Sequence, residues 1–591
     1  MIFINTTQQT QEGQARPRRR VGCLGGCLIF FAVYFICSAI LGWIMGDALS
    51  NSTVTLQDKT VYRLQMKGTL VEQGQEANPF ESLMGEVPYV GSRAKQETVG
   101  LDQILSNIRL AKNDEKILGI WIDGGELVMA PASAKAIRDA LLDFKSSGKW
   151  VIASAKSFGE TNYYVASAAD RICMDPTGSV DWHGLTAQKM YYTRAMEKIG
   201  VKMNILKVGT FKSAVEPYFR TSMSEADREQ TKQYLDGIWS EYKQAVGASR
   251  GLSEAQLDEL ADRPMDVESA EATLAAGLVD TIVYMQDMDS LLRVYTGTED
   301  YHLLTTGKMA QVKRPESKAK DKIAVLYLEG EITDETGDGI VGKEVIKTLK
   351  EIGKEDNLKA LVLRVNSPGG SADASEQIWH AIQKIKADSI PVVVSMGDYA
   401  ASGGYYISCG ADYIYAEPTT LTGSIGIFGT VPDVSKLRDK IGVDLDGVGT
   451  NKHSGMGAMV IKGMSDEEHA IMQKMVERGY DLFTRRCAEG RHVEQDYIKS
   501  IGEGRVWLGY KGKEIGIVDE LGNLEDAINK AVELAGVESY KICYYPELAD
   551  PYAELLKMFD NTTEEERLLM KVRTFCSKPR VMALMPEVKI K

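Results

Sequence analysis

The chain has 591 residues, 44% hydrophobic and 26% charged, several times the length of a typical single domain, so at least two domains are expected and wholesale disorder is excluded. Its 69 Lys and Arg stand against 83 Asp and Glu, a net charge of -14, which excludes nucleic acid as a general partner.

The first predicted element is Val21–Met45, VGCLGGCLIFFAVYFICSAILGWIM, a run without a charged residue and long enough to cross a hydrocarbon core as one helix. Arg16, Arg18, Arg19 and Arg20 precede it and Asp47 follows. The positive-inside rule then keeps residues 1–20 in the cytoplasm and sends the rest across the membrane. A cleaved signal peptide is the competing reading, but the run is too long and lacks a small-x-small exit. Cys23, Cys27 and Cys37 lie within this anchor. Cys173, Cys409, Cys487, Cys543 and Cys576 show no CxxC pair and no metal-like His spacing, so buried thiols and no metal site are expected.

Beyond the anchor, two segments about 240 residues apart follow one script. ILGIWIDGGE (117–126) leads through a helical stretch to WVIASAKSFGETNYYVASAADRICMDPTGSVDWHGL (150–185). ALVLRVNSPGGS (360–371) leads likewise to VVVSMGDYAASGGYYISCGADYIYAEPTTLTGSIGI (392–427). Tyr163-Tyr164 matches Tyr405-Tyr406, Pro176 matches Pro418 and Gly184 matches Gly426 at one constant offset, and Gly277–Asp280 echoes Gly516–Asp519. The expected organisation is a first repeat at 46–310, a charged linker at 311–321, a second repeat at 322–545 and a helical tail at 546–591 with a late basic cluster, Lys571, Arg573, Lys578 and Arg580. Residues Ala77–Gln96 read as a loop inserted in the first repeat.

Within the second repeat, apolar runs at Ala360–Val365 and Val392–Ser395 flank a helix-period segment, Ala374–Lys386. That is the pattern of βαβ units with buried parallel strands, hence an α/β fold built twice. Met223–Ser249 and Met464–Glu489 read as long amphipathic helices, capped by Ser224 and Ser465.

Two loops could do chemistry. Asn366-Ser367-Pro368-Gly369-Gly370 places two glycines where a strand turns into a helix, freeing N–H groups to approach an anion; a tight βα turn alone would use the same residues. Ala400-Ala401-Ser402-Gly403-Gly404 follows another strand and opens a helix, so Ser402 is either a nucleophile with room for an acyl group or a plain N-cap. A serine nucleophile needs a base, and none of the six histidines follows Ser402 closely. A lysine could serve if burial lowered its pKa from about 10.4 to roughly 7 to 8, about 4 kcal/mol of differential stabilisation. Lys212, in GTFKSAVEP, and Lys452, at the matching position of the other repeat, are the two candidates. Ser146–Lys149 and Ser317–Lys320 also match S-x-x-K, at a helix-to-strand turn and in the linker, and are accidental.

FKSAVEPY around Lys212, RVNSPGG at 364–370, AASGGYY at 400–406, LTGSIGI at 421–427 and GRVWLGYKGKEIGIVDELG at 504–522 together resemble the long, duplicated form of the signal peptide peptidase A (protease IV) family. The resemblance covers residues 20–545 and places the chain in the wider Clp protease/crotonase-like fold family. It implies a membrane-bound serine endopeptidase of the Ser-Lys type, with Ser402 as nucleophile and Lys212 as general base. It further implies Ser424 hydrogen-bonding the lysine, and oxyanion donors from Gly403 and one glycine of Gly369-Gly370. By the same resemblance the protein is a homotetramer of the inner (cytoplasmic) membrane, catalytic on the extracytoplasmic side, needing no cofactor and degrading released signal peptides and similar hydrophobic peptides.

An acyl-CoA enzyme of the crotonase type is set aside because the anchor places the domain where CoA is absent. A non-catalytic scaffold is set aside because Ser402, Lys212 and Ser424 are all intact. The duplication puts Glu160 where Ser402 would stand in the first repeat, so Lys452 is expected to be charged, paired with Glu160 of its own or a neighbouring chain, without an acyl-transfer role and contributing at most to assembly.

Overall fold

The computed structural model describes residues 54–74, 98–314, 317–547 and 580–585. The first half supplies β1 (Thr60–Val71), β2 (Thr98–Gly100), β3 (Ile117–Val128), β4 (Trp150–Ala155), β5 (Arg171–Met174), β6 (Lys202–Lys207), β7 (Thr281–Ile282) and β8 (His302–Thr305). All but β6 form one parallel sheet in the order β2-β1-β3-β4-β5-β7, with β8 beside β1. Central strands of such a sheet are covered on both faces, and β4 accordingly buries Val151 through Ala155 without alternation. Two helices of this half bear on the site: α1 (Glu160–Ala166) and α2 (Glu225–Arg250). The latter starts at Ser224, whose side chain accepts from Asp227 N–H.

The second half repeats the plan with β9 (Lys322–Glu329), β10 (Ile332–Thr333), β11 (Ile340–Val341), β12 (Leu358–Ser367), β13 (Gly369–Ser371), β14 (Val392–Ala401), β15 (Tyr413–Ala416), β16 (Leu421–Gly423), β17 (Phe428–Asp433), β18 (Val506–Leu508), β19 (Glu520–Leu521) and β20 (Lys541–Tyr545). Its main sheet runs β18-β16-β14-β12-β9-β20, with β15 between β14 and β19. Among the helices of this half are α3 (Ala372–Ala387), α4 (Gly403–Ser408) and α5 (Asp466–Arg491).

The duplication is written in the hydrogen bonds. Tyr163 Oη donates to Leu278 O and Tyr405 Oη to Ile517 O. Asp170 accepts from Val151 N–H and Asp412 from Val392 N–H. Arg250 pairs with Asp280, and Arg491 with Asp519. The halves are also tied together: buried Arg364 on β12 makes a bidentate pair with buried Glu72, at 2.9 and 3.1 Å, and Ser133 donates to Asp398.

A third sheet draws on both halves. A final strand, β21 (Arg580–Leu584), completes the order β11-β10-β13-β21-β17-β6. Within the span expected to be a helical tail, these residues are therefore a strand: Gly369–Ser371 and Phe428–Thr430 offer them unpaired backbone on both sides. Residues 1–53, with the expected anchor Val21–Met45, and the inserted loop Ala77–Gln96 lie outside the described residues. Among the described residues no helix is long and apolar enough to cross a membrane. Val54, Thr55 and Gln311–Lys313 belong to a small separate unit, in which Val54 N–H donates to Gln311 O. Cys173, Cys409, Cys487 and Cys543 are free thiols, the first three buried.

Candidate active site

Ser402 stands where β14 ends and α4 begins. Its φ of 56° and ψ of -113° hold it in a conformation that non-glycine residues rarely adopt, at a cost of about 1–3 kcal/mol. Ser402 N–H donates to Gly423 O and its carbonyl accepts from Tyr406 N–H. Its hydroxyl makes no capping bond. The following glycines are a packing requirement: a Cβ at Gly404 would fall 2.6 Å from Ser367 O, and one at Gly403 2.7 Å from Ser375 Oγ.

Lys212 reaches this serine from the first half. Strand β6 pairs antiparallel with β17, from Lys207 opposite Phe428 to Lys202 opposite Asp433. The chain then continues along the second half, with Val208 N–H donating to Ile427 O and Phe211 N–H to Glu503 O. Lys212 is completely buried, and its Nζ lies 2.7 Å from Ser402 Oγ and 3.1 Å from both Ser424 O and Ser424 Oγ. Burial pushes its pKa well below the ordinary lysine value, because a charge there would forfeit its hydration. Two glycines leave the channel for its stem: a Cβ at Gly504 would lie 2.6 Å from Lys212 Cβ, and one at Gly426 3.3 Å from Lys212 Cδ.

A neutral lysine amine carries two N–H donors and one lone pair. Ser424 presents two acceptors to it, its carbonyl and its hydroxyl, which leaves the lone pair facing the Ser402 hydroxyl. That geometry can accept a proton from Ser402. The SPGG loop lies alongside: Gly369 N–H donates to Ser367 Oγ, which in turn donates to Gly330 O. A Cβ at Gly369 would fall 2.7 Å from Gly403 N, so the two glycine loops meet beside Ser402. With the Gly369 donor engaged, Gly370 and Gly403 are the backbone N–H groups available for an oxyanion. The parts played by Gly426 and Gly504 along the lysine stem and by Ser367 beneath Gly369 come only from the packing; of the two glycines, Gly504 carries a further sequence signal, the GEGR turn ahead of the VWL strand.

The structure brings Lys212, Ser402, Ser424 and the glycines 369, 370 and 403 into one place, and leaves Lys452 elsewhere. Lys452 is exposed and pairs with Glu467 at 2.6 Å, a correction to the expected pairing with Glu160 of its own chain. Glu160, at the start of α1, is buried and accepts from the backbone N–H groups of His183 and Gly184. Backbone donors thus take the place of a lysine there, and burial raises its carboxyl pKa. Lys149 of the accidental S-x-x-K match donates to three backbone carbonyls, those of Ala111, Lys112 and Asp114.

The chain matches the model of peptidase family S49 over residues 143–296 and 384–538, once in each half, and that of Clp protease over 316–420. It is 35% identical over 530 residues to Protease 4 of Salmonella typhi, covering 88% of this chain and 85% of that protein. Identity to Protease 4 of Haemophilus influenzae is 32% over 529 residues, 86% of this chain and 84% of the relative. The chloroplastic serine protease SPPA of Arabidopsis thaliana is 29% identical over 469 residues, 77% and 69% of the two chains.

Proposed function

Because the chain belongs to peptidase family S49 and is a serine protease, we propose that Ser402 is its nucleophile and Lys212 its general base, a dyad assembled from the two halves of one chain. The observation that carries this reading is the 2.7 Å approach of the buried Lys212 amine to Ser402 Oγ. Lys212 takes the Ser402 proton as Oγ attacks a peptide carbonyl and returns it to the leaving amine. Ser424 aims the lysine lone pair, and Gly403 and Gly370 N–H stabilise the developing oxyanion.

The substrates are short, extended, hydrophobic peptides, released signal peptides among them. What favours this class is that β13 and β17 hold backbone between them in extended form, that of β21. The uncharged run Val21–Met45 with its preceding arginines supports a single-pass anchor in the inner membrane, cytoplasmic N-terminus and extracytoplasmic catalysis. Homotetrameric assembly rests on the family resemblance. Removing the residues before Asp47 should yield a soluble, active protein; loss of solubility would place further membrane contacts elsewhere.

A fluorophosphonate probe tests the dyad. It should label the wild type at Ser402 and leave Ser402→Ala unlabelled; labelling at another residue would overturn the assignment.

A further inference from the structure

The segment that carries Lys212 is gripped from its own half by one buried amide. Gln230 lies on α2 and is 1% exposed. Its Nε2 donates to Phe211 O at 3.1 Å and to Ser213 Oγ at 3.0 Å, the residues on either side of Lys212. Its Oε1 accepts from Val506 N–H of the second half at 3.2 Å. These partners fix which way the amide faces, because a backbone N–H can only donate and a backbone carbonyl can only accept. Asp227, itself in a buried pair with Lys189 at 2.7 Å, takes a further contact from Nε2 and holds the amide from behind.

Both ends of this amide bear on the amine. The Phe211 carbonyl shares a peptide plane with the Lys212 nitrogen and Cα, so the bond to it fixes the plane from which the lysine stem departs. At the other end, Val506 on β18 pairs with Gly423 on β16, and the adjoining Arg505 carbonyl accepts from Ser424 N–H at 2.6 Å. Ser424 in turn supplies two acceptors to the Lys212 amine. One side chain thus spans the segment bearing the amine and the strand that holds the amine's partner. The duplication offers an internal comparison: α2 begins after Ser224 and α5 after Ser465, a register that sets Gln230 against Ile471. Ile471 is exposed, as is Lys452 of the same half. Where the lysine is not buried, the amide is not there either.

We infer that Gln230 is a positioning residue for peptide hydrolysis, setting the Lys212 amine against Ser402 and Ser424 through its bonds to Phe211, Ser213 and Val506. This rests on the Ser402–Lys212 reading. Gln230 acts through the neighbours of Lys212 and not on the reacting atoms. Burial alone lowers the pKa of Lys212, so a shift of its stem that admits water restores hydration to the charged form and moves the value back up. Loss of the amide therefore slows the proton transfer and carries the rise of activity to higher pH, while peptide binding is unchanged.

The test is kcat, KM and the kcat/KM–pH profile of the full chain on one hydrophobic peptide, with rates taken per active site titrated to completion by a fluorophosphonate, and with the turnover of Lys212→Met measured beside them. Gln230→Met keeps the side chain's length and removes its polar bonds. Its kcat should fall about 10- to 100-fold with KM within about twofold of the wild type, and its apparent pKa should be higher. Ser213→Ala withdraws one acceptor of the amide and leaves the backbone in place; it should move kcat and the apparent pKa in the same direction by less, and it decides the matter if Gln230→Met does not fold. Glu229→Ala removes a neighbouring tie from α2, the 2.7 Å bond to Arg505, and should keep the wild-type profile. Wild-type kcat and apparent pKa per titrated site in Gln230→Met, or in Ser213→Ala where that variant decides, would overturn the inference and, with Lys212→Met inactive, leave the dyad standing. So would the same shift in Glu229→Ala, which would assign the effect to docking of the helix. Turnover in Lys212→Met would overturn the dyad and this inference with it.

Discussion

Lys207 of the first half pairs with Phe428 of the second in an antiparallel ladder, and this pairing carries Lys212, a few residues further on, to Ser402. Neither half contains both residues of the proposed dyad. The chain between Lys207 and Lys212 is held by backbone bonds to Ile427 and Glu503, so the position of the amine is set by main-chain register and not by the lysine's flexible stem. In the proposed dyad such positioning would keep the reacting atoms at attack distance without ordering the stem anew in each turnover.

Gly504 packs directly against the lysine. At its φ of +79° an added Cβ would lie 2.6 Å from Lys212 Cβ and 2.8 Å from its Cα. Gly504→Ala should therefore displace the proposed base and lower kcat about 100-fold or more, while circular dichroism shows the fold retained. Wild-type turnover in this variant would mean that the lysine position is not critical.

Lys212 also sets a cost in stability. Its pKa is depressed in the folded state, so the unfolded chain binds more protons between that depressed value and about 10.4. Stability from this group accordingly rises with pH through that window, and the full penalty applies below it. Lys212→Met should melt higher than the wild type at neutral pH, with the gap closing as pH approaches 10. A gap that does not change with pH would show that the amine is not desolvated.

The pair between Glu72 and Arg364 joins the halves inside the protein, with side-chain exposures of 3% and 5%. Glu72→Ala leaves the guanidinium buried without its carboxylate and should destabilise the protein by about 3–5 kcal/mol in urea unfolding. A change below about 1 kcal/mol would show that water or Asp398 replaces Glu72.

Much of this arrangement was legible in the sequence, because a duplication shows through residues whose roles are local. Tyr163 and Tyr405, Asp170 and Asp412 each bond a backbone group of their own half. Ser402 was legible for a similar reason: small residues between a strand and a helix mark a sharp turn. The partner of Lys452 was not, since Glu160 is satisfied by backbone donors that no side-chain pattern reveals. Nor was β21. The acidic and leucine-rich residues before it carry a helical period, whereas RVMAL is too short to announce a strand and becomes one by adding to edges far away in sequence. The pairing of β6 with β17 is long-range in the same way.

The central claim, one dyad shared between the halves, is tested most directly by the kcat/KM–pH profile of the wild type on one hydrophobic peptide, beside the turnover of Lys212→Met and Lys452→Met. Activity should rise with pH through an apparent pKa well below 10.4, as expected of a base that must be neutral; Lys212→Met should be inactive and Lys452→Met should match the wild type. A flat profile from about pH 6 to 10, or loss of turnover in Lys452→Met alone, would contradict it.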